Sequence, residues 1–211
     1  MGKVIVTISR EFGSGGRLIG EKLAFRLGLP FYDRAIIDMA SKKSGLSADF
    51  IEKSEERASN SFLYNLSSYL YSGTEMDRGN FTIGYEMPVN DKAFFSQAST
   101  ITELAGRGSC VIVDRCADYL LRDDPDCVKI FIYGRREDRI KMLIDAYGVS
   151  PEEADGRLTK LDKGRAYYYK HYTGENWGQI RNHDLIINSS ITGVNGAVNV
   201  IVEFLKAAGK I

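Results

Sequence analysis

No apolar run in this sequence is long enough for a membrane span or a signal h-region; Met1 to Ile8 carries one lysine and only a short apolar segment. The expectation is a cytoplasmic chain with no membrane partner. An excess of one charge is also missing, because Lys+Arg and Asp+Glu number 28 each. Without a global field to draw in nucleic acid or an acidic membrane, any anionic ligand must be met by local basic residues. Cysteine is scarce: Cys110, Cys116 and Cys127 are odd in number and lack CxxC spacing. That argues against a disulfide framework and a zinc site, and leaves core packing. The two histidines, His171 and His183, have no partner in sequence that would complete a catalytic triad. Repeats and low-complexity tracts are absent as well.

What is present is a chain of 211 residues, enough for one sizeable core with a sub-domain inserted into it. "KVIVTIS" (Lys3 to Ser9) is a continuous β-branched run, as expected of a strand buried on both faces. After a glycine-rich turn, Leu18, Ile19, Lys22, Leu23 and Arg26 fall at helical spacing and end at Gly28, a C-cap residue. Further strands are predicted over Leu29 to Asp33, Ser109 to Asp114, Cys127 to Tyr133 and Asp184 to Asn188. Apolar strands alternating with helices predict a five-stranded parallel sheet covered on both faces, since parallel neighbours need crossover connections.

Two stretches break the alternation. Residues 41–100 are polar and rich in Ser, Asn, Tyr and Phe, with helical spacing of Phe62, Leu63, Leu66, Tyr69 and Leu70; they read as an insertion over one edge of the sheet. Residues 150–177 begin with Ser150 as an N-cap ahead of Pro151 and Glu153, continue as a charged helix, and end in aromatics and "TGENWG".

The glycine turn, "SREFGSGGRLIG" (Ser9 to Gly20), poses the functional question. A strand, a glycine turn and a helix N-terminus present backbone N–H groups and the positive end of a helix dipole, which suits an anion. The phosphate-loop pattern GxxxxGK[ST] is not met. Aligning Gly13 and Gly15 with its later glycines puts Arg10 at the first glycine, Gly16 at the lysine and Arg17 at the hydroxyl position. Three readings stay open: a phosphate cradle formed by Gly13, Ser14, Gly15 and Gly16; a tight packing turn; and a dinucleotide fingerprint with Asp33 as the ribose acid. In the last, Leu18 occupies the third glycine position and the charged segment near residue 160 has no role.

Taken in order, "ISREFGSGGRLIGEKLA", "LPFYDRAII", "VIVDRCADYLL", "VKIFIYGRREDRI", "LDKGRAYYYKHYTG" and "DLIINSS" resemble the cytidylate kinase-like family over nearly the whole chain. The chain looks closest to a branch in which the loop lysine is commonly absent. The resemblance implies a single P-loop domain of three-layer α/β/α architecture, with 41–100 as an acceptor-binding insertion and 150–177 as a lid. It implies ATP and Mg²⁺ as cofactors and a small nucleotide substrate, with CMP or dCMP as acceptor.

Phosphoryl transfer needs cations converging on the group in transit. Arg10 and Arg17 flank the loop, and Arg17 is the candidate replacement for the missing lysine. Asp162 and Arg165 share a helix face at a three-residue spacing. By resemblance, Arg165 contacts phosphate while Asp162 orients it or meets the acceptor. Asp114, at the end of an apolar run, is expected to hold Mg²⁺ through water, or else to cap the next helix. Acceptor contacts are expected from Asp33, Arg34, Arg107, Arg115 and Asp118. The family's Asp-Gly-Arg-Asp is here Asp-Arg-Cys-Ala-Asp, without the glycine. Tyr168 and Tyr172 share a helix face, for packing or for stacking on a base. Rival readings are a kinase of another small molecule, a nucleotide-binding regulator without catalysis, and an NAD(P)-linked oxidoreductase. Nothing fixes the oligomeric state.

Overall fold

The computed structural model describes residues 2–54 and 87–211. Its centre is β1 (Ile5–Arg10), whose side chains alternate between two faces: Val6 and Ile8 join one core, and Ile5 joins the other. The strand continues through Arg10, which is in register with Ile132. The first residue of the expected loop is therefore still strand. Around it lie β2 (Phe31–Tyr32), β3 (Cys110–Val113), β4 (Cys127–Tyr133) and β5 (Leu185–Asn188), in the order β2-β3-β1-β4-β5 and all parallel.

Helices fill both faces, as apolar parallel strands require. On one face α1 (Gly16–Leu27) and α8 (Ser189–Ala207) bury Ile19, Leu23, Ile201 and Leu205 against the sheet. On the other, α2 (Arg34–Ser44) and α4 (Val89–Gly106) bury Ile36, Ile101 and Leu104. Short helices α3 (Ala48–Glu52) and α5 (Ala117–Leu120) pack beside them. Helix α1 ends at Gly28, left-handed at φ 65°, as its sequence predicts.

This strand order removes the dinucleotide reading of the glycine turn. That fold sets the second strand beside the first, so that its terminal acid reaches the ribose. Here β3 lies between them.

The helix expected over Phe62 to Leu70 lies outside the described residues. At its flanks, Ile37 of α2, Ile51 of α3 and Ala93 of α4 share one small core. Helix α4 runs without a break past residue 100 into the main core.

Helix α6 (Arg136–Tyr147) is followed by α7 (Pro151–Thr173), which starts at the expected Ser150–Pro151 boundary. Its first half buries Ala154 and Leu158 against Leu143 of α6. In its second half Tyr168 and Tyr169 are buried with Phe94 and Cys116, and Tyr172 stacks on Phe94 at 4.0 Å between ring centroids. The aromatic run is thus packed against α4. None of the three cysteines is in a disulfide; burial pushes the Cys110 thiol up to about 11 and that of Cys127 to about 12, which keeps both protonated at neutral pH. Among the described residues no helix is long and apolar enough to cross a membrane.

Candidate functional site

Because β1 and β3 are parallel neighbours, the residues that close them come together at the carboxyl edge of the sheet, where open α/β sheets bind ligands. Arg10 Nη1 there binds Asp114 Oδ2. Arg165 of α7 reaches the same point: its Nη1 donates to the carbonyl oxygen of Arg10 at 3.0 Å, and its Nη2 lies 3.5 Å from Asp114 Oδ2. Its guanidinium also sits 5.4 Å from the Phe12 ring centroid. Both arginine side chains are 14% exposed and Asp114 is 10% exposed, so these charges lie largely outside bulk water. Burial alone would raise the Asp114 carboxyl. The guanidiniums of Arg10, Arg165 and Arg115 outweigh it and hold the group below its ordinary value.

The space beside Gly16, where the phosphate-loop pattern has its lysine, is already filled. A Cβ placed on Gly16 would fall 2.7 Å from both Cβ and Cδ of Arg10. The strand-borne arginine therefore crosses the space above the lysine position, and only glycine at 16 leaves room for it. Arg17 turns the other way and binds Asp33 (Nε to Oδ2, 2.6 Å) with its side chain 56% exposed. Arg17, the candidate replacement, therefore lies at the rim, while the aliphatic part of Arg10 fills the space beside position 16.

Asp162 also differs from expectation. Its Oδ1 accepts the Phe12 N–H at 2.9 Å and its Oδ2 binds Arg139, so it fastens the loop backbone rather than orienting Arg165. Arg139, buried on α6, binds Glu11 at 2.7 Å and donates from Nε to the Phe12 carbonyl at 3.0 Å. Gly13 completes the clamp: at φ 77° it passes so close to α6 that a Cβ would stand 2.8 Å from the Arg139 carbonyl oxygen. Sequence reasoning missed Arg139, Glu11 and Phe12. All three lie in the quoted motifs, but a charged residue within "GRREDRI" reads as solvated.

Two hollows adjoin at this cluster. One, about 220 Å³, is lined by Gly13, Gly15 and Gly16 of the loop and by Met142 and Tyr147 of α6. The other, about 530 Å³, is lined by Asp33, Arg34, Glu52 and Arg115 among others. Arg10, Phe12, Arg17 and Arg165 line both. Arg34 sits at the outer rim, 58% exposed, and binds Glu52 at 2.8 Å.

Two expected acceptor residues are not brought here. Arg107 precedes β3, at the opposite end of that strand from Asp114, and pairs with Glu103 of its own helix. Asp118 is sealed inside: Tyr169 Oη donates to its Oδ2 at 3.0 Å, and the buried His183 Nε2 lies 3.3 Å away. The turn between Asp114 and α5 is strained. Asp114, Arg115 and Cys116 stand at φ 61°, 61° and 56°, left-handed values that cost a non-glycine residue about 1–2 kcal/mol each. Asp114 does not cap α5, whose N-cap is Cys116; its carbonyl accepts the Ala117 N–H at 3.1 Å within the turn and its carboxylate faces the arginines.

A magnesium ion takes oxygen ligands in near-octahedral geometry. The Asp114 carboxylate is bound to guanidinium, and the hydroxyl position of the loop is Arg17. This donor set does not fit a metal held through Asp114.

Residues 5–191 match the model of the cytidylate kinase-like family. An uncharacterized protein from Eubacterium ventriosum is similar at 25% identity and TM-score 0.70, covering 97% of this chain and 99% of that one. The shikimate kinase of Bacteroides thetaiotaomicron shares the fold at 12% identity and TM-score 0.54, over 97% of this chain and 99% of that one. A deoxyadenosine kinase from M. mycoides, solved with dCMP and dCDP, aligns at 10% identity and TM-score 0.50, over 97% of this chain and 100% of that one. The comparison with curated proteins finds no match. The architecture is the three-layer α/β fold of P-loop kinases.

Proposed function

Since the chain belongs to the cytidylate kinase-like family, we propose that it transfers the γ-phosphoryl group of ATP to a nucleoside monophosphate, with CMP or dCMP as the leading acceptor. The observation that carries this reading is the sharing of Arg10, Arg17 and Arg165 between two adjoining hollows. Transfer between two phosphates needs both anions held end to end, with cations along the seam where charge develops. The hollow against the glycine loop suits the ATP phosphates, which would meet backbone N–H groups at the start of α1. The larger hollow takes the acceptor.

Its lining carries Arg10, Arg17, Arg34, Arg115 and Arg165 against Asp33 and Glu52. That balance favours an acceptor that is itself a phosphate ester over an uncharged alcohol. In this reading α7 is the lid that delivers Arg165, and the segment between α2 and α4 reads the base.

The test is a phosphoryl-transfer screen from ATP over nucleoside monophosphates, shikimate and gluconate. Turnover should appear with a pyrimidine monophosphate. Activity confined to unphosphorylated acceptors would replace the acceptor class, and ATP binding without transfer to any acceptor would make the chain a nucleotide-binding regulator.

A further inference from the structure

Among the described residues, the carboxylates that line the two hollows, Asp33, Glu52 and Glu11, are each paired with an arginine, and so is Asp114 at the sheet edge. Asp33 binds Arg17 at 2.6 Å, Glu52 binds Arg34 at 2.8 Å, Glu11 binds Arg139 at 2.7 Å, and Asp114 binds Arg10 with Arg165 behind it. The first two pairs are exposed and exchange readily with water. The Asp114 cluster is not. A divalent cation beside that carboxylate would stand against the guanidiniums of Arg10 and Arg165, and repulsion between like charges is poorly screened in a place so largely buried. A phosphate arriving at the same place meets no such repulsion. It shares the guanidiniums that Asp114 already holds in position, and the planar fork of arginine suits phosphate oxygens.

We infer that the hollows bind a polyphosphate without a divalent cation, with Arg10 and Arg165 supplying the positive charge that a metal would bring. Gly16 fits this assignment, since the space that would admit a loop lysine is taken by the Arg10 side chain. The inference concerns binding, and it rests on the anion-binding part of the function proposed above.

The experiment is calorimetric titration of the full chain with ATP and, separately, with inorganic tripolyphosphate, each in EDTA and in excess MgCl₂. Dissociation constants in EDTA should lie within about threefold of those in MgCl₂. A weakening of about tenfold or more in EDTA would overturn the inference while leaving the kinase reading intact. Binding in neither buffer would overturn both. Arg10→Ala offers a second measurement, since it opens the Asp114 carboxylate. The variant should bind tripolyphosphate at least about tenfold more weakly than the parent in EDTA and recover part of that loss in MgCl₂. Equal affinity for parent and variant in EDTA would remove Arg10 from the metal's place.

Discussion

The arginines of the site fall into an inner set and a rim set. Arg10 and Arg165 are 14% exposed and share one buried carboxylate, whereas Arg17 and Arg34 are 56% and 58% exposed, Arg17 paired with the part-buried Asp33 and Arg34 with the exposed Glu52. By residue type the two sets are alike. They differ in the dielectric around them: a charge pair at 4 Å is worth about 1 kcal/mol in water and several times that near a protein interior. The inner set is held in place by Asp114 where water is scarce. The rim set can gather an anion from solution but is screened while doing so.

The same substitution made in each set should therefore give opposite kinetic results. Arg165→Ala should lower turnover by about 10³-fold, the range expected of an arginine that completes a phosphoryl-transfer site, with a much smaller loss of ATP affinity. Steady-state kinetics with the acceptor found by the screen checks this. Turnover within about twofold of the parent would place Arg165 among the solvated charges.

The inner set can also be probed through the space it occupies. Gly16→Lys restores the loop lysine but drives its side chain into Arg10, and should weaken ATP binding by about tenfold or more. The paired change Arg10→Gly with Gly16→Lys removes the clash and should recover most of that loss in the same titration. Failure of the pair to recover would mean that Arg10 does more than stand in for the lysine.

The smallest effect is expected at the rim. Arg17→Ala breaks an exposed pair with Asp33, and pairs of that kind are worth under about 1 kcal/mol. Thermal unfolding should barely shift, and ATP affinity should fall by a few-fold at low salt with the difference closing at high salt. A large, salt-independent loss would move Arg17 into the inner set.

Much of the fold was legible because strands buried on both faces leave unbroken apolar runs. All five strands fall where those runs lie, β4 with the expected ends and the others with ends moved by no more than two residues. The end movements mattered at the site, since one more strand residue placed Arg10 at the sheet edge, facing Asp114. Helical spacing put Asp162 and Arg165 on one face but could not say what that face meets; Asp162 meets the loop backbone and Arg165 the sheet edge. Arg139 was hidden because a buried arginine and a solvated one look identical until their acceptors are placed. Arg107 could have been set aside from topology alone, since a residue just ahead of a parallel strand lies at the edge away from the ligand.

The left-handed turn at Asp114, Arg115 and Cys116 has a consequence for how this protein could evolve. At φ 61°, Arg115 adopts the backbone that a glycine would take freely, at the place where the family's motif has one. Arg115→Gly would relieve that local strain and at the same time remove a buried guanidinium that helps to hold the Asp114 carboxyl below its ordinary value. The larger hollow would then lose one of its five cations. Position 115 is therefore a point where backbone ease and buried positive charge pull against each other, and a retained arginine there reports that the charge has been favoured.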